Sequence, residues 1–297
     1  MKTIGLIAAP PTGFREDGTI DLAVPGPLAA HLHAQGVSGV FINGTTGEGA
    51  SLTITEREQL ATEWRRVLPA GMKLFVHVGH NSLGDARHLA RHAAEIGADA
   101  VAAIAPGYFR PGLDELIDWC AQLAGMAPEL PFYFYHMPSV SGVALNVTGF
   151  LDKAGQRVPN LAGIKFTHEN LLDYFEALRL DDGRYDLLWG RDEILLGALV
   201  MGARGAVGST YNIFAALYHR LISAFEAGDL TTAREAQAQA VICINKLAAT
   251  GHFFAALKAV LRAQGVPIRC AVRQPLPVAP VDQLMQTAER MRRISNV

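Results

Sequence analysis

Eight short, almost uninterrupted apolar runs separated by amphipathic stretches constrain this chain more than any other feature. The runs occupy residues 4–10 (IGLIAAP), 37–43 (VSGVFIN), 73–79 (KLFVHVG), 99–106 (DAVAAIAP), 131–137 (PFYFYHM), 161–167 (LAGIKFT), 186–190 (DLLWG) and 205–210 (GAVGST). Strands that are apolar on both faces, with no alternation, are what a parallel sheet covered on both sides requires. The intervening segments, such as TEREQLATEWRRVL and LGDARHLARHAAEIG, carry apolar residues with helical period. Eight strand-then-helix units at intervals of roughly 20–35 residues predict an α/β fold, a (β/α)8 TIM barrel. A doubly wound open sheet is the rival, but no glycine-rich dinucleotide fingerprint follows the first run. After residue 211 the strand-like runs stop and four helical patterns follow, the last behind the proline-rich turn RQPLPVAPVD. The expected organisation is a barrel over residues 1–225 and a small C-terminal helical extension over 226–297.

Composition narrows the function classes. Lys and Arg number 26 against 28 Asp and Glu, for a net charge of −2, and no basic run stands out. A nucleic-acid or anionic-membrane partner therefore has no electrostatic support. No apolar run reaches membrane-spanning length. The N-terminal MKTIGLIAAPPTGF is interrupted by Pro10 and Pro11, so it reads as a first strand, not a secretion signal. Cys120, Cys243 and Cys270 are far apart and odd in number, which fits reduced thiols in the cytoplasm and no cysteine metal site.

In a barrel of this kind chemistry gathers at the C-terminal ends of the strands. Several polar groups fall there: Thr45, Thr46 and Glu48 in NGTTGEG, Tyr135 after the fifth run, Lys165 and Thr167 in the sixth, Gly190 to Glu193 after the seventh, and Ser209 after the eighth. Lys165 stands between Ile164 and Phe166. An amine in water has pKa about 10.4 and is not nucleophilic at neutral pH, but burial disfavours its charge. A neutral amine can attack a ketone to give a Schiff base, an electron sink for carbon–carbon cleavage. A structural lysine paired with a buried carboxylate such as Glu193 fits the pattern equally well. Tyr135 shares a strand face with Tyr133, opposite Phe132 and Phe134, and a phenol beside the amine can move protons. GTTGEG permits a tight turn whose backbone N–H groups bind an anion, followed by a helix starting near Thr53 or Thr55. Among the histidines, His77 and His80 close the third run, and His88 and His92 share a helix face that belongs to the outer ring. No metal is expected.

These motifs, APPTGF, NGTTGEGASLTITEREQL, YHMPSVSG, GIKFT and WGRDEILLGALVMGARGAVGSTYN, resemble the dihydrodipicolinate synthase/N-acetylneuraminate lyase family of class I, pyruvate-dependent aldolases. The resemblance spans the barrel and the helical tail. It implies that Lys165 forms the Schiff base, Tyr135 handles protons, and Thr45 and Thr46 bind the pyruvate carboxylate. Synthases of the family usually read Y-N-x-P-x-R-T, whereas Val140 stands here where their arginine would be. The Ser141-Gly142-Val143 segment looks like the lyases instead. By that likeness Asp192, Glu193 and Ser209 meet the hydroxyls of a sugar acid, with Thr167 and Gly190 in the same substrate site. APGYFRPG departs from the family's usual aromatic run, which leaves Tyr108 out. The resemblance implies a lyase that cleaves N-acetylneuraminate or a related sugar acid to pyruvate and an aldehyde, N-acetylmannosamine. Other expectations are a small-molecule substrate, no cofactor beyond the lysine, and a homotetramer. The alternatives are another pyruvate aldolase or dehydratase of the family, a dihydrodipicolinate synthase, and a non-catalytic sugar-acid-binding protein.

Overall fold

The computed structural model describes residues 2–295. Eight strands close into one barrel in sequence order, and every neighbouring pair is parallel. They are β1 (Gly5–Ala8), β2 (Gly39–Ile42), β3 (Lys73–His77), β4 (Ala100–Ile104), β5 (Phe132–His136), β6 (Leu161–Phe166), β7 (Asp186–Trp189) and β8 (Gly205–Gly208). Each lies inside the apolar run expected to form it, trimmed by a residue or more at the ends.

The helices of the outer ring are α1 (Pro25–Ala34), α2 (Ile54–Val67), α3 (Leu83–Glu95), α4 (Leu113–Ala124), the single turn α5 (Pro138–Ser141), α6 (Val147–Arg157), α7 (Leu171–Arg179), α8 (Leu195–Met201) and α9 (Tyr211–Glu226). Thr53 caps α2 by accepting from the Glu56 N–H, and the Glu56 carboxylate accepts from the Thr53 N–H in return. That reciprocal cap fixes where the chain turns from the β2 loop into the helix. The extension consists of α10 (Leu230–Ala248), α11 (Phe253–Ala263) and α12 (Val281–Ser295). The expected division at 225/226 falls at the end of α9. Among the described residues, no single helix is long and apolar enough to cross a membrane.

Two apolar layers result from the strand alternation. Phe132 and Phe134 face outward into the large core between barrel and helices, with Val40, Leu74, Ile164, Trp64 and Phe150. Tyr133 and Tyr135 face inward with Ile7, Phe41, Phe75, Leu188 and Val207. The lower barrel is plugged by polar bonds: the Asp186 carboxylate accepts from the Tyr133 hydroxyl at 2.8 Å and the Thr3 N–H at 2.9 Å. In a barrel filled this way, chemistry is placed at the C-terminal mouth.

Candidate active site

Lys165 is set inside the barrel by register. It pairs with Tyr135 of β5 on one side and Leu188 of β7 on the other, so the three side chains point the same way. Its amine lies 3.9 Å from the ring centre of Phe41 and 3.9 Å from that of Tyr135. Among the described residues no carboxylate lies within ion-pair distance of it, and Glu193 instead approaches the Arg191 guanidinium at 3.9 Å. Burial pushes the amine below its ordinary pKa, opposed by Tyr135 and by the charge of Asp192. The alternative of a lysine paired with Glu193 is thus not what the geometry contains.

Above the amine opens a cavity of about 260 Å³. The expected residues Thr45, Thr46, Tyr135, Lys165, Thr167, Gly190, Asp192, Glu193 and Ser209 all line it. The Tyr135 hydroxyl donates to Met137 Sδ at 3.0 Å, a weak acceptor that leaves its proton easily redirected. The Thr167 hydroxyl is buried and has no partner among the described residues, so a donor or acceptor on a ligand would relieve it. Gly190 is required beside it, since a Cβ there would meet Thr167 Oγ1 at 2.0 Å. The hydroxyls of Ser209 and Thr46 are 2.6 Å apart, which joins the β8 end directly to the β2 turn. In that turn the N–H groups of Thr45, Thr46 and Gly47 find no acceptor among the described residues. Consecutive unpaired N–H groups and two hydroxyls suit a carboxylate.

Asp192 is buried against Gly208, where a Cβ would strike the carboxylate at 2.0 Å. One of its oxygens accepts from the Thr210 N–H at 2.9 Å and hydroxyl at 2.6 Å, leaving the other for a ligand. Burial pushes this carboxyl up to about 6, against the pull of the Thr210 bonds and the Lys165 charge. The ordinary value is near 3.9. Between the two, the folded chain keeps a proton that the unfolded chain has lost. The stabilising contribution is therefore full below pH about 4 and is lost as pH rises through about 6. Asp192→Asn, always neutral, is expected to be more stable than the parent at pH 7.5, on the order of 2 kcal/mol, and no more stable at pH 4. Urea unfolding at both pH values checks this; an equal difference at both would remove the ionisation as its cause.

The histidines go elsewhere. His77 is buried behind the site, edge-on to Tyr135 with centroids 6.0 Å apart. Burial holds it well below its usual pKa, helped by the charges of Arg57 and Lys165. His88 contacts Glu58 at 2.7 Å and His92 contacts Thr62 at 3.2 Å, both on the outer ring. Among the described residues no group of three or more His, Cys, Asp or Glu side chains gathers for a metal. Tyr108 is outside the Lys165 cavity, in a neighbouring one with Arg57, Asn81 and Val140.

Several lining residues escaped the sequence reading. Met137 sits between Tyr135 and Thr45, whose hydroxyl is 3.9 Å from its sulfur. Arg191, inside the Gly190–Glu193 segment, lines the cavity as well. Ile244 of α10 and Phe253 and Phe254 of α11 form an apolar wall supplied by the C-terminal extension. The only signal for that wall is the Phe–Phe pair opening α11, which helical periodicity alone assigns to a core.

The chain is similar to known proteins over almost its whole length. The N-acetylneuraminate lyase of Mus musculus is 42% identical over 275 residues, covering 90% of this chain and 85% of that protein. The Danio rerio N-acetylneuraminate lyase is 38% identical over 295 residues, covering 98% and 96%. The structure of the Proteus mirabilis N-acetylneuraminate lyase superposes with a TM-score of 0.95 at 35% identity, over 99% of both chains. A model of the dihydrodipicolinate synthetase family matches residues 2–293, and the chain belongs to that family.

Proposed function

We propose that this chain is a class I aldolase that cleaves N-acetylneuraminate, or a closely related sugar acid, to pyruvate and N-acetylmannosamine. The observation that carries the reading is the Lys165 amine, buried between two aromatic rings with no carboxylate partner among the described residues, at the floor of a cavity lined by hydroxyls. The amine attacks the C2 ketone of the open-chain acid, and the carbinolamine hydroxyl leaves as water with the Tyr135 phenolic proton, giving a protonated imine and a phenolate. Tyr135 takes the proton from the C4 hydroxyl as the C3–C4 bond breaks and its electron pair moves into the imine. The aldehyde departs, the resulting enamine is protonated at C3, and water releases pyruvate and the free amine. The lysine is the electron sink, so the reading calls for no metal or organic cofactor.

The same reading assigns the substrate positions. The carboxylate lies at the Thr45–Thr46 turn, and the polyol tail extends toward Asp192, Glu193 and Thr167, with Ser209 between the two ends. Val140, exposed at the rim of the neighbouring cavity, offers no charge to a second carboxylate, which supports a lyase over a dihydrodipicolinate synthase. A purely binding role leaves the depressed amine unexplained. The reading also expects a homotetramer. Exposed apolar side chains suited to burial between copies support it: Tyr108 and Phe109 in one region, Leu172 and Val200 in another. The absence of disulfides among Cys120, Cys243 and Cys270 supports a reducing compartment such as the cytoplasm.

Steady-state pyruvate release from N-acetylneuraminate, compared with release from a short 2-keto-4-hydroxy acid, tests the assignment. Glu193→Ala is expected to lose about tenfold to a hundredfold in kcat/KM on the long substrate only, because substrate hydroxyls are left unpaired. Equal losses on both substrates would remove Glu193 as a reader of the tail. A parent enzyme that prefers the short acid would leave only the broader pyruvate-aldolase reading.

A further inference from the structure

The carboxylate turn of β2 is fastened by residues more than two hundred positions later. Lys258 of α11 has its amine 2.6 Å from Glu48 Oε1, and neither side chain is exposed to solvent. The same amine donates to the Ala271 carbonyl at 2.6 Å. The second Glu48 oxygen accepts from the Arg273 N–H at 2.8 Å. Glu48 thus finds its charged partner and its backbone donor in the C-terminal segment, although it stands only two residues beyond Thr46. The Arg273 guanidinium continues the fastening to the Glu56 carboxylate and the Ser51 carbonyl.

Glu48 also has φ of 54°, a left-handed conformation that side-chain-bearing residues avoid. With the backbone turned this way, the Glu48 N–H bonds the Thr45 carbonyl at 3.0 Å and the Gly49 N–H bonds the Gly44 carbonyl at 3.0 Å. Between these bonds lie the unpaired N–H groups of Thr45, Thr46 and Gly47. Apolar residues of similar volume stabilise a core at least as well as a buried ion pair does. A carboxylate bound at both oxygens has a different property: its orientation is fixed, and with it the peptide planes of the turn that carries it.

We propose that the Lys258–Glu48 pair holds the Thr45–Glu48 turn in the shape that receives the substrate carboxylate. Lys258 and Glu48 are then positioning residues, and the C-terminal extension is part of the carboxylate subsite. The proposal rests on the aldolase reading above. Its test is borohydride trapping of the Lys165 imine, titrated with pyruvate and with hydroxyacetone, a ketone of similar size that has no carboxylate. The double variant Lys258→Met/Glu48→Gln removes both charges together and leaves neither partner buried alone. Its half-saturating pyruvate concentration is expected to rise about tenfold or more, because a misplaced binding group loses affinity steeply. Its hydroxyacetone titration should match the parent's. A general structural weakening moves both ketones together, and either that result or unchanged pyruvate binding would overturn the proposal. Should the double variant not fold, Lys258→Arg serves in its place. It keeps the charge, but a planar guanidinium presents a different donor geometry to Glu48 and Ala271, and the same selective shift is expected. If the parent chain itself forms no adduct at Lys165 with either ketone, the aldolase reading fails and this proposal falls with it.

Discussion

Lys165→Arg is expected to abolish turnover, a loss on the order of 10⁴-fold or more, while the fold survives. A guanidinium stays protonated and cannot form an imine. The parent, incubated with pyruvate and borohydride, should gain one reduced pyruvyl group at Lys165, and Lys165→Arg should gain none. Peptide mass spectrometry settles the position. An adduct on Lys258 instead would contradict its place in a buried ion pair with Glu48 and would remove the mechanism proposed here. Borohydride-dependent labelling of Lys153 alone, an exposed residue near Asp114, would do the same.

Tyr135→Phe is the second large effect. The substitution keeps the ring that Lys165 lies against and deletes only the hydroxyl, so burial of the amine is preserved. General acid–base catalysis by one placed group contributes about 10²–10⁴-fold, and kcat is expected to fall by that amount. The trapped pyruvate adduct should still form, more slowly, because the carbinolamine then loses water without a neighbouring phenol. That hydroxyl donates to the Met137 thioether, a weak acceptor, so thermal stability should change little. A variant with near-parental kcat would reduce Tyr135 to an aromatic wall and require a different proton carrier.

The barrel was legible because its strands are apolar on both faces and each is short, so neighbouring runs cannot be confused with the amphipathic helices between them. Lys165 stood out for the same reason: a charge within a strand that has no solvent face needs either a buried carboxylate partner or a chemical use. Tyr135 followed from period-two alternation, which places it on the Tyr133 face and next to the lysine strand. Contacts set by closure of the whole chain were not legible. Lys258 lies among apolar residues just as Lys165 does, but a helix offers a long amine many directions, and its partner is 210 positions away. The buried lysine–carboxylate pair weighed for Lys165 exists in the molecule at this other lysine. Phe253 and Phe254 reach the mouth only because α11 folds back over it. The Ser209–Thr46 contact likewise depends on the first half of the barrel meeting the last strand, and neither segment announces the other.

A pocket lined by Thr46, Lys165 and Phe253, and braced from behind by Glu48, Lys258 and Arg273, has a history during synthesis. When the ribosome has completed β8, all eight strands exist, yet the aromatic wall and both partners of Glu48 are still unmade. At about 5–20 residues per second, the 65 residues from Gly208 to Arg273 take about 3–13 s to add. During that interval the chain contains Lys165 and Glu48, but Lys258 and Arg273 have not both joined them in the finished fold. On the proposed reading competence arrives late, with the last helices, and a chain interrupted in translation before Arg273 carries Lys165 but lacks part of the scaffold around Glu48.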